Sequence, residues 1–387
     1  MKLVIAAEIF FPDIGGPATY VTRLIPELLK EGWKVQVITY SDSPILSYEE
    51  KDGYQVVRIP RQKNIFSRYF NYLKNLLKLV RGADLIYAQG PIASGLPSLI
   101  VKWLRRKKVV MKIVGDVAWE RAKNRFGIKE LTDEFQKKRY DIKIEFNRWL
   151  EHFIVRRMNR IITPSYYLKK LVSGWGASPK KIQVIYNSLE EIKSDLTKEE
   201  AKKALSLAGR ILLSIGRLAP WKGFDTLIGL IPKFLERFPD IKLIIVGAGP
   251  EKENLKFKIK NLKLSENVIM VGAVPHQETG LYFRAADLFV LNTGYEGLSH
   301  VLLEALSMKL PAVVSNIGGN PEVIEDGVNG YLFEYNDKEE IIKKVNQLLD
   351  SPEKQKQFVE AGLKKLEQFT FVRMIDDTKE VLKLMSK

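Results

Sequence analysis

The chain has 387 residues, 45% hydrophobic and 28% charged, with no cysteine. That length fits two domains or at most three, and the composition is that of a globular protein without disulfides, thiolate metal sites or cysteine nucleophiles. The net charge of +16 is lopsided: residues 1–187 hold 34 Lys and Arg against 17 Asp and Glu, whereas residues 188–387 hold 28 against 29.

The opening apolar run Leu3–Ala7 meets Glu8 after five residues, which is too short for a signal-peptide core. No stretch of about 18 uncharged apolar residues follows anywhere, so a cytoplasmic protein without membrane spans is expected. Leu3–Ala7 reads instead as a buried strand. After it come Gly15-Gly16-Pro17 and a helical pattern through Leu24, Leu28 and Leu29, stopped by Gly32. Val35–Thr39 and Gln55–Ile59 read as strands, residues 65–81 as a helix, Leu85–Ala88 as a strand, Ile92–Leu104 as a helix and Val109–Val114 as a strand. A long helical and polar stretch leads to strand Ile161–Thr163, a helix near Tyr166–Val172 and strand Ile182–Ile185.

The pattern restarts after the polar stretch Glu190–Lys203. Ile211–Ile215, Lys242–Val246, Val268–Val271, Leu288–Leu291 and Ala312–Ser315 are strands with helices between them. Short apolar strands alternating with helices mean parallel sheets with right-handed crossovers. The expected fold is α/β: two Rossmann-like doubly wound domains in tandem, residues 1–187 and 188–370, with a cleft between them. A last helix within 371–387 is expected to pack back on the first domain. Ligands of such sheets bind beyond the carboxyl ends of the strands.

Two loops at such ends carry chemistry. Gly216-Arg217-Leu218-Ala219-Pro220-Trp221-Lys222-Gly223 follows Ile211–Ile215 and places two cations five positions apart. An Arg fork and a Lys point charge can clamp one diphosphate and stabilise the charge it gains on leaving. The bland alternative is a pair of solvated surface cations. Glu296-Gly297-Leu298-Ser299 follows Leu288–Leu291, with Ser299 as a candidate N-cap. The backbone N–H groups of Gly297, Leu298 and Ser299 then favour an anion. Glu304, about a turn into the helix, suits a pair of vicinal ribose hydroxyls. Gly15-Gly16, Gly247-Ala248-Gly249 and Gly318-Gly319 are turns that permit close backbone approach. Neither of the first two is a Gly-x-Gly-x-x-Gly fingerprint, which disfavours a nicotinamide enzyme.

The string Gly216-Arg217…Lys222-Gly223, the pair Glu296 and Glu304, Gly318-Gly319-Asn320-Pro321-Glu322 and Gly327-Val328-Asn329-Gly330 resemble the family-4 retaining glycosyltransferases. Thr163-Pro164-Ser165 and Val184-Ile185-Tyr186-Asn187 match as well. The resemblance implies a GT-B fold and a nucleotide diphosphate sugar donor held in the C-terminal domain. It implies Arg217 and Lys222 on the diphosphate, Glu304 on the ribose, and Glu296 with Gly297, Leu298 and Ser299 at the sugar and phosphates. Gly15, Gly16 and Gly247 would line the donor, and the segment containing Val274 would face the base. No metal is implied, and the nucleotide-sugar is a substrate, so no cofactor is expected. The family often has His-Gly or His-Asp where this chain reads Gly115-Asp116. Asp116 is therefore a candidate base or hydroxyl-orienting group, and equally a candidate N-cap. His152 and His276 fall in no motif, and His300 reads as a packing residue.

The basic N-terminal half calls for an anionic partner. Residues 61–82 place Ile65, Phe66, Tyr69, Phe70, Leu73, Leu76, Leu77 and Val80 at helical spacing, with Lys63, Arg68, Lys74, Lys78 and Arg81 among them. Lys102–Lys108 is a denser basic cluster around Trp103. A glycan, lipid-linked or phosphorylated acceptor and a peripheral site on an anionic membrane surface fit this half. For residues 61–82 a sheet-covering amphipathic helix is the slightly favoured reading. Nucleic acid explains the charge but not Glu296 and Glu304, and no nucleic-acid motif appears. The alternative enzyme is a nucleotide-sugar epimerase or phosphorylase on the same fold.

Overall fold

The computed structural model describes all residues except Ile14, Gln62, Lys63, Glu191 and Lys387; Lys63, one of the cations named above, thus lies outside the described residues. The chain forms two compact units, one of Met1–Tyr186 with Val372–Lys387 and one of Asn187–Phe371.

The strands of the first unit are β1 (Lys2–Ala7), β2 (Lys34–Ser41), β3 (Ser47–Lys51), β4 (Tyr54–Pro60), β5 (Leu85–Gln89), β6 (Lys108–Lys112), β7 (Arg160–Thr163) and β8 (Ile182–Val184). They make one sheet in the order β3-β4-β2-β1-β5-β6-β7-β8, parallel except for β3. The central strands are apolar on both faces, because helices cover both. On one face Val4, Ile86, Val109 and Ile161 pack with Leu76, Leu99, Ile154 and Leu168 from the helices Ile65–Leu79, Gly95–Arg105, Ile142–Arg156 and Tyr166–Gly174. At the other, Tyr20 of helix Gly16–Lys30 shares its hydroxyl with Tyr87 (2.8 Å) and with Thr378 (3.1 Å) of helix Phe371–Ser386. Lys379 and Lys383 of that helix reach Glu31 at 2.9 and 2.8 Å.

The second unit holds β9 (Ile211–Ile215), β10 (Lys242–Val246), β11 (Val268–Gly272), β12 (Leu288–Leu291), β13 (Ala312–Ser315) and β14 (Tyr331–Phe333). All are parallel, in the order β11-β10-β9-β12-β13-β14. Two doubly wound sheets of this kind are the GT-B architecture.

Three local features differ from the sequence reading. Strand β3 is an antiparallel edge strand of sequence SYEEK, whose polarity hides it from an apolar-run search. Strand β14 has only three residues. Strand β6 ends at Lys112 rather than at Val114, because Asp116 already caps a helix, Val117–Phe126.

Candidate active site

In the second sheet the strand order reverses between β9 and β12. Their carboxyl ends open into the loops Gly216–Gly223 and Asn292–Ser299, which are the two loops singled out by their charges. A switch point is where a doubly wound sheet leaves room for a ligand, since its two neighbouring loops diverge to opposite faces.

These loops are braced against each other and against their neighbours. Leu218 N–H donates to Ala248 O at 2.9 Å, and Gly294 N–H to Trp221 O at 2.7 Å. Buried Asn292 donates through Nδ2 to Gly223 O at 3.1 Å. Gly319 N–H reaches Glu296 O at 2.9 Å. The turn glycines serve this bracing. A Cβ on Gly247 would stand 1.9 Å from Gly216 O, and one on Gly318 2.0 Å from Glu296 O. At these two positions the close approach is between protein backbones, and a side chain would force the charged loops apart.

Lys222 Nζ is ion-paired with Glu296 Oε1, and the two side chains are only 16% and 13% exposed. The structure thus brings together one predicted cation and one predicted carboxylate from loops 74 residues apart. Arg217 is exposed in the same loop and has no ion-pair partner among the described residues. Ser299 occupies the N-cap position of helix His300–Ser307, yet its side chain makes no cap bond. Its buried Oγ finds no partner among the described residues. Nor does any described residue accept from the backbone N–H groups of Gly297, Leu298 or Ser299. Together these donors make the start of the helix favourable for an anion.

Glu304 sits one turn into this helix and is 6% exposed. Its Oε1 lies 2.9 Å from His276 Nε2, and His276 Nδ1 lies 3.8 Å from Glu190 Oε2. His276 begins the short turn after the Ala273-Val274-Pro275 segment, so Val274 is carried by the loop that reaches Glu304. His300 Nε2 is 3.1 Å from Asn187 Nδ2. The sequence reading missed both histidines as members of this cluster. Each is joined to its partner only by the fold.

The remaining candidates belong to the first unit. Gly15 and Gly16 open helix Gly16–Lys30, which has neither a side-chain cap nor an acidic residue in its first turn. A Cβ on Gly16 would meet nothing within 4 Å. Asp116 is 2% exposed. Its Oδ1 accepts from Trp119 N–H at 2.7 Å and its Oδ2 from Gln136 Nε2 at 2.8 Å. The geometry is that of the N-cap alternative. Beside it, fully buried Glu151 accepts from Val117 N–H at 3.2 Å and Ala118 N–H at 2.8 Å. Burial pushes the Asp116 carboxyl up to about 6, against the pull of its hydrogen bonds. Burial, then the charge of Asp116, pushes Glu151 well above the usual carboxylate range.

Two doubly wound α/β units, the second with a braced and charged loop pair at its switch point, have the fold class of the GT-B glycosyltransferases. The sequence model of Glycosyltransferase Family 4 matches residues 14–190 and that of Glycosyl transferases group 1 residues 195–365. The chain belongs to this family of glycosyltransferases. It is 25% identical over 352 residues to an alpha-monoglucosyldiacylglycerol synthase of Streptococcus pneumoniae, covering 86% of this chain and 75% of that protein. It is 26% identical over 359 residues to a mannosylfructose-phosphate synthase of Agrobacterium fabrum, covering 85% and 77%. The solved structure of HepE from Anabaena in complex with UDP-glucose superposes with a TM-score of 0.79 at 19% identity, over 99% of each chain.

Proposed function

We propose that this glycosyltransferase moves a hexose from a nucleoside diphosphate to a hydroxyl of a lipid-linked, glycan or phosphorylated acceptor, with retention of anomeric configuration and without a metal. The observation that carries the reading is the Lys222–Glu296 pair beside the unpartnered donors at the start of helix His300–Ser307. Arg217, Lys222 and the N–H groups of Gly297, Leu298 and Ser299 take the diphosphate, whose charge grows as the sugar leaves; cations placed there in advance lower the barrier. Glu296, held by Lys222, faces the sugar, and Glu304 accepts from the ribose hydroxyls. Gly15 and Gly16 leave the first turn of their own helix open, without a side-chain cap or an acidic residue. Departure and attack on one face need positioning and charge stabilisation rather than a protein nucleophile. Asp116 acts in this reading by holding the start of its helix. The UDP-glucose in HepE and the monoglucosyldiacylglycerol synthase among the relatives support a nucleotide-hexose donor and a lipid acceptor.

The first unit carries a surface suited to such an acceptor. Helices Ile65–Leu79 and Gly95–Arg105 contain no acidic residue and pack side by side. Phe66 is 83% exposed and Phe70 66%. A groove of about 300 Å³ between the helices is lined by Phe70, Leu73, Lys74, Leu77, Lys78, Arg81 and Arg105. Exposed aromatic rings among cations fit an anionic lipid interface, where the rings enter the headgroup layer and the cations meet phosphate. No helix among the described residues is long and apolar enough to cross a membrane.

Turnover of UDP-, GDP- and ADP-hexoses with lipid and glycan acceptors tests the activity. Acceptor-dependent release of nucleoside diphosphate separates transfer from the epimerase or phosphorylase alternative, and product anomer analysis tests retention. Sedimentation with phosphatidylglycerol vesicles tests the surface. Binding should weaken with salt, be absent on phosphatidylcholine and be lost in a Phe66→Ser, Phe70→Ser variant. Binding unchanged by either salt or the substitutions overturns the surface assignment.

A further inference from the structure

We propose that His276 is a positioning residue for nucleotide recognition, holding the Glu304 carboxylate in the orientation that receives a ribose diol. The inference rests on the ribose role proposed above for Glu304. A carboxylate only accepts, so at 2.9 Å the His276 Nε2 must be the donor to Glu304 Oε1. The terminal torsion of a glutamate is soft, with no staggered wells to fix it. Without a partner, the Glu304 carboxylate would sample a broad range of rotations at the start of the helix. The bond from His276 pins Oε1 and leaves one lone pair there and both on Oε2, enough for two vicinal hydroxyls.

A second carboxylate stands near the other ring nitrogen. Glu190 Oε2 lies 3.8 Å from His276 Nδ1, on the far side of the ring from Glu304. Glu190 belongs to the segment that follows β8, which is also tied to this helix through Asn187 and His300 at 3.1 Å. The exposures fit a positioning role better than a packing one. The His276 side chain is 45% exposed, whereas that of Glu304 is 8% exposed. A half-exposed ring adds little to the core, but it is well placed to orient a carboxylate that water barely reaches.

The experiment is calorimetric titration of UDP, GDP and ADP, each with its 2′-deoxy counterpart, into the full-length wild type and the variants His276→Ala, His276→Asn and Glu304→Ala. The readout is the ratio of ribo to deoxy affinity, which a general loss of stability would not move. Wild type should prefer the ribonucleotide, and Glu304→Ala should abolish that preference. His276→Ala should reduce it about tenfold, equivalent to about 1.4 kcal/mol. His276→Asn, which restores an N–H donor, should recover part of it. A preference kept in His276→Ala but lost in Glu304→Ala overturns the role of His276. Equal weakening of ribo and deoxy forms in His276→Ala also overturns it. A preference kept in Glu304→Ala, or no binding of any of the diphosphates to wild type, overturns instead the proposed nucleotide site on which this inference rests.

Discussion

The Asp116–Glu151 pair gives a test in which the sign of a pH effect is decisive. Asp116 has its carboxyl raised by burial from its ordinary value of 3.8 to about 6, and Glu151 is raised as well. A carboxyl raised on folding binds more protons in the native state than in the unfolded one. Its stabilising contribution is therefore complete below about pH 4 and is lost as pH rises through about 6. For Asp116 the loss is on the order of 3 kcal/mol, from a shift of about two pH units. Asp116→Asn removes that titration and eases the repulsion on Glu151. Asn caps as well as Asp does, so the bond to Trp119 N–H stays, but its NH2 replaces the oxygen that accepts from Gln136 Nε2, at about 1 kcal/mol. The variant should thus be less stable than wild type near pH 4, and the gap should close or reverse near pH 7. Urea unfolding followed by tryptophan fluorescence reads the right unit, since five of the six tryptophans, including buried Trp119 and Trp175, belong to the first. Taking the difference between variant and wild type at each pH cancels the titrating groups other than Asp116 and the Glu151 beside it. A gap constant from pH 4 to pH 7 refutes the argument. Turnover in the same variant addresses the other role considered for Asp116: a cap leaves most activity in place, whereas a base does not.

Three further outcomes follow from named contacts. If Lys222 meets the leaving diphosphate as proposed, Lys222→Ala should lower kcat at least about a hundredfold, and it also leaves Glu296 without its counter-charge; kcat near wild type would remove Lys222 from the site. Gly247→Ala places a methyl 1.9 Å from Gly216 O, so the Gly216–Gly223 loop must shift and donor KM should rise at least tenfold, read by initial rates. Tyr20→Phe deletes the hydroxyl shared by Tyr87 and Thr378 and should cost about 1–3 kcal/mol in urea unfolding, with easier proteolytic release of helix Phe371–Ser386.

The second sheet was legible because its central strands, such as Leu288–Leu291, are buried on both faces and read as unbroken apolar runs. Strand β3 was not, since an edge strand exposes half its residues and SYEEK looks like a loop. Within the site, loop position and side-chain type were enough to nominate Lys222 and Glu296, but not to pair them. Only the β9–β12 adjacency brings these two loops together. His276 was opaque for the same reason, with its partner Glu304 28 residues away on another element. Asp116 was ambiguous because a strand-end carboxylate and an N-cap share one local sequence. The end of β6 at Lys112 and the bonds from Trp119 and Gln136 give it the cap geometry.

The return of helix Phe371–Ser386 to the first unit makes the second unit an insertion in the first one's chain. Its two ends meet, since Leu189 N–H donates to Phe369 O at 2.9 Å. During vectorial synthesis the inserted unit has all its strands before the host is complete. The host must wait for helix Phe371–Ser386 to supply Thr378, Lys379 and Lys383. A nascent chain stalled near residue 370 would hold a finished second unit beside a first unit whose Tyr20–Tyr87 face is still bare. Loss of the final helix, by truncation or by early termination, would therefore impair the half of the molecule that was made first.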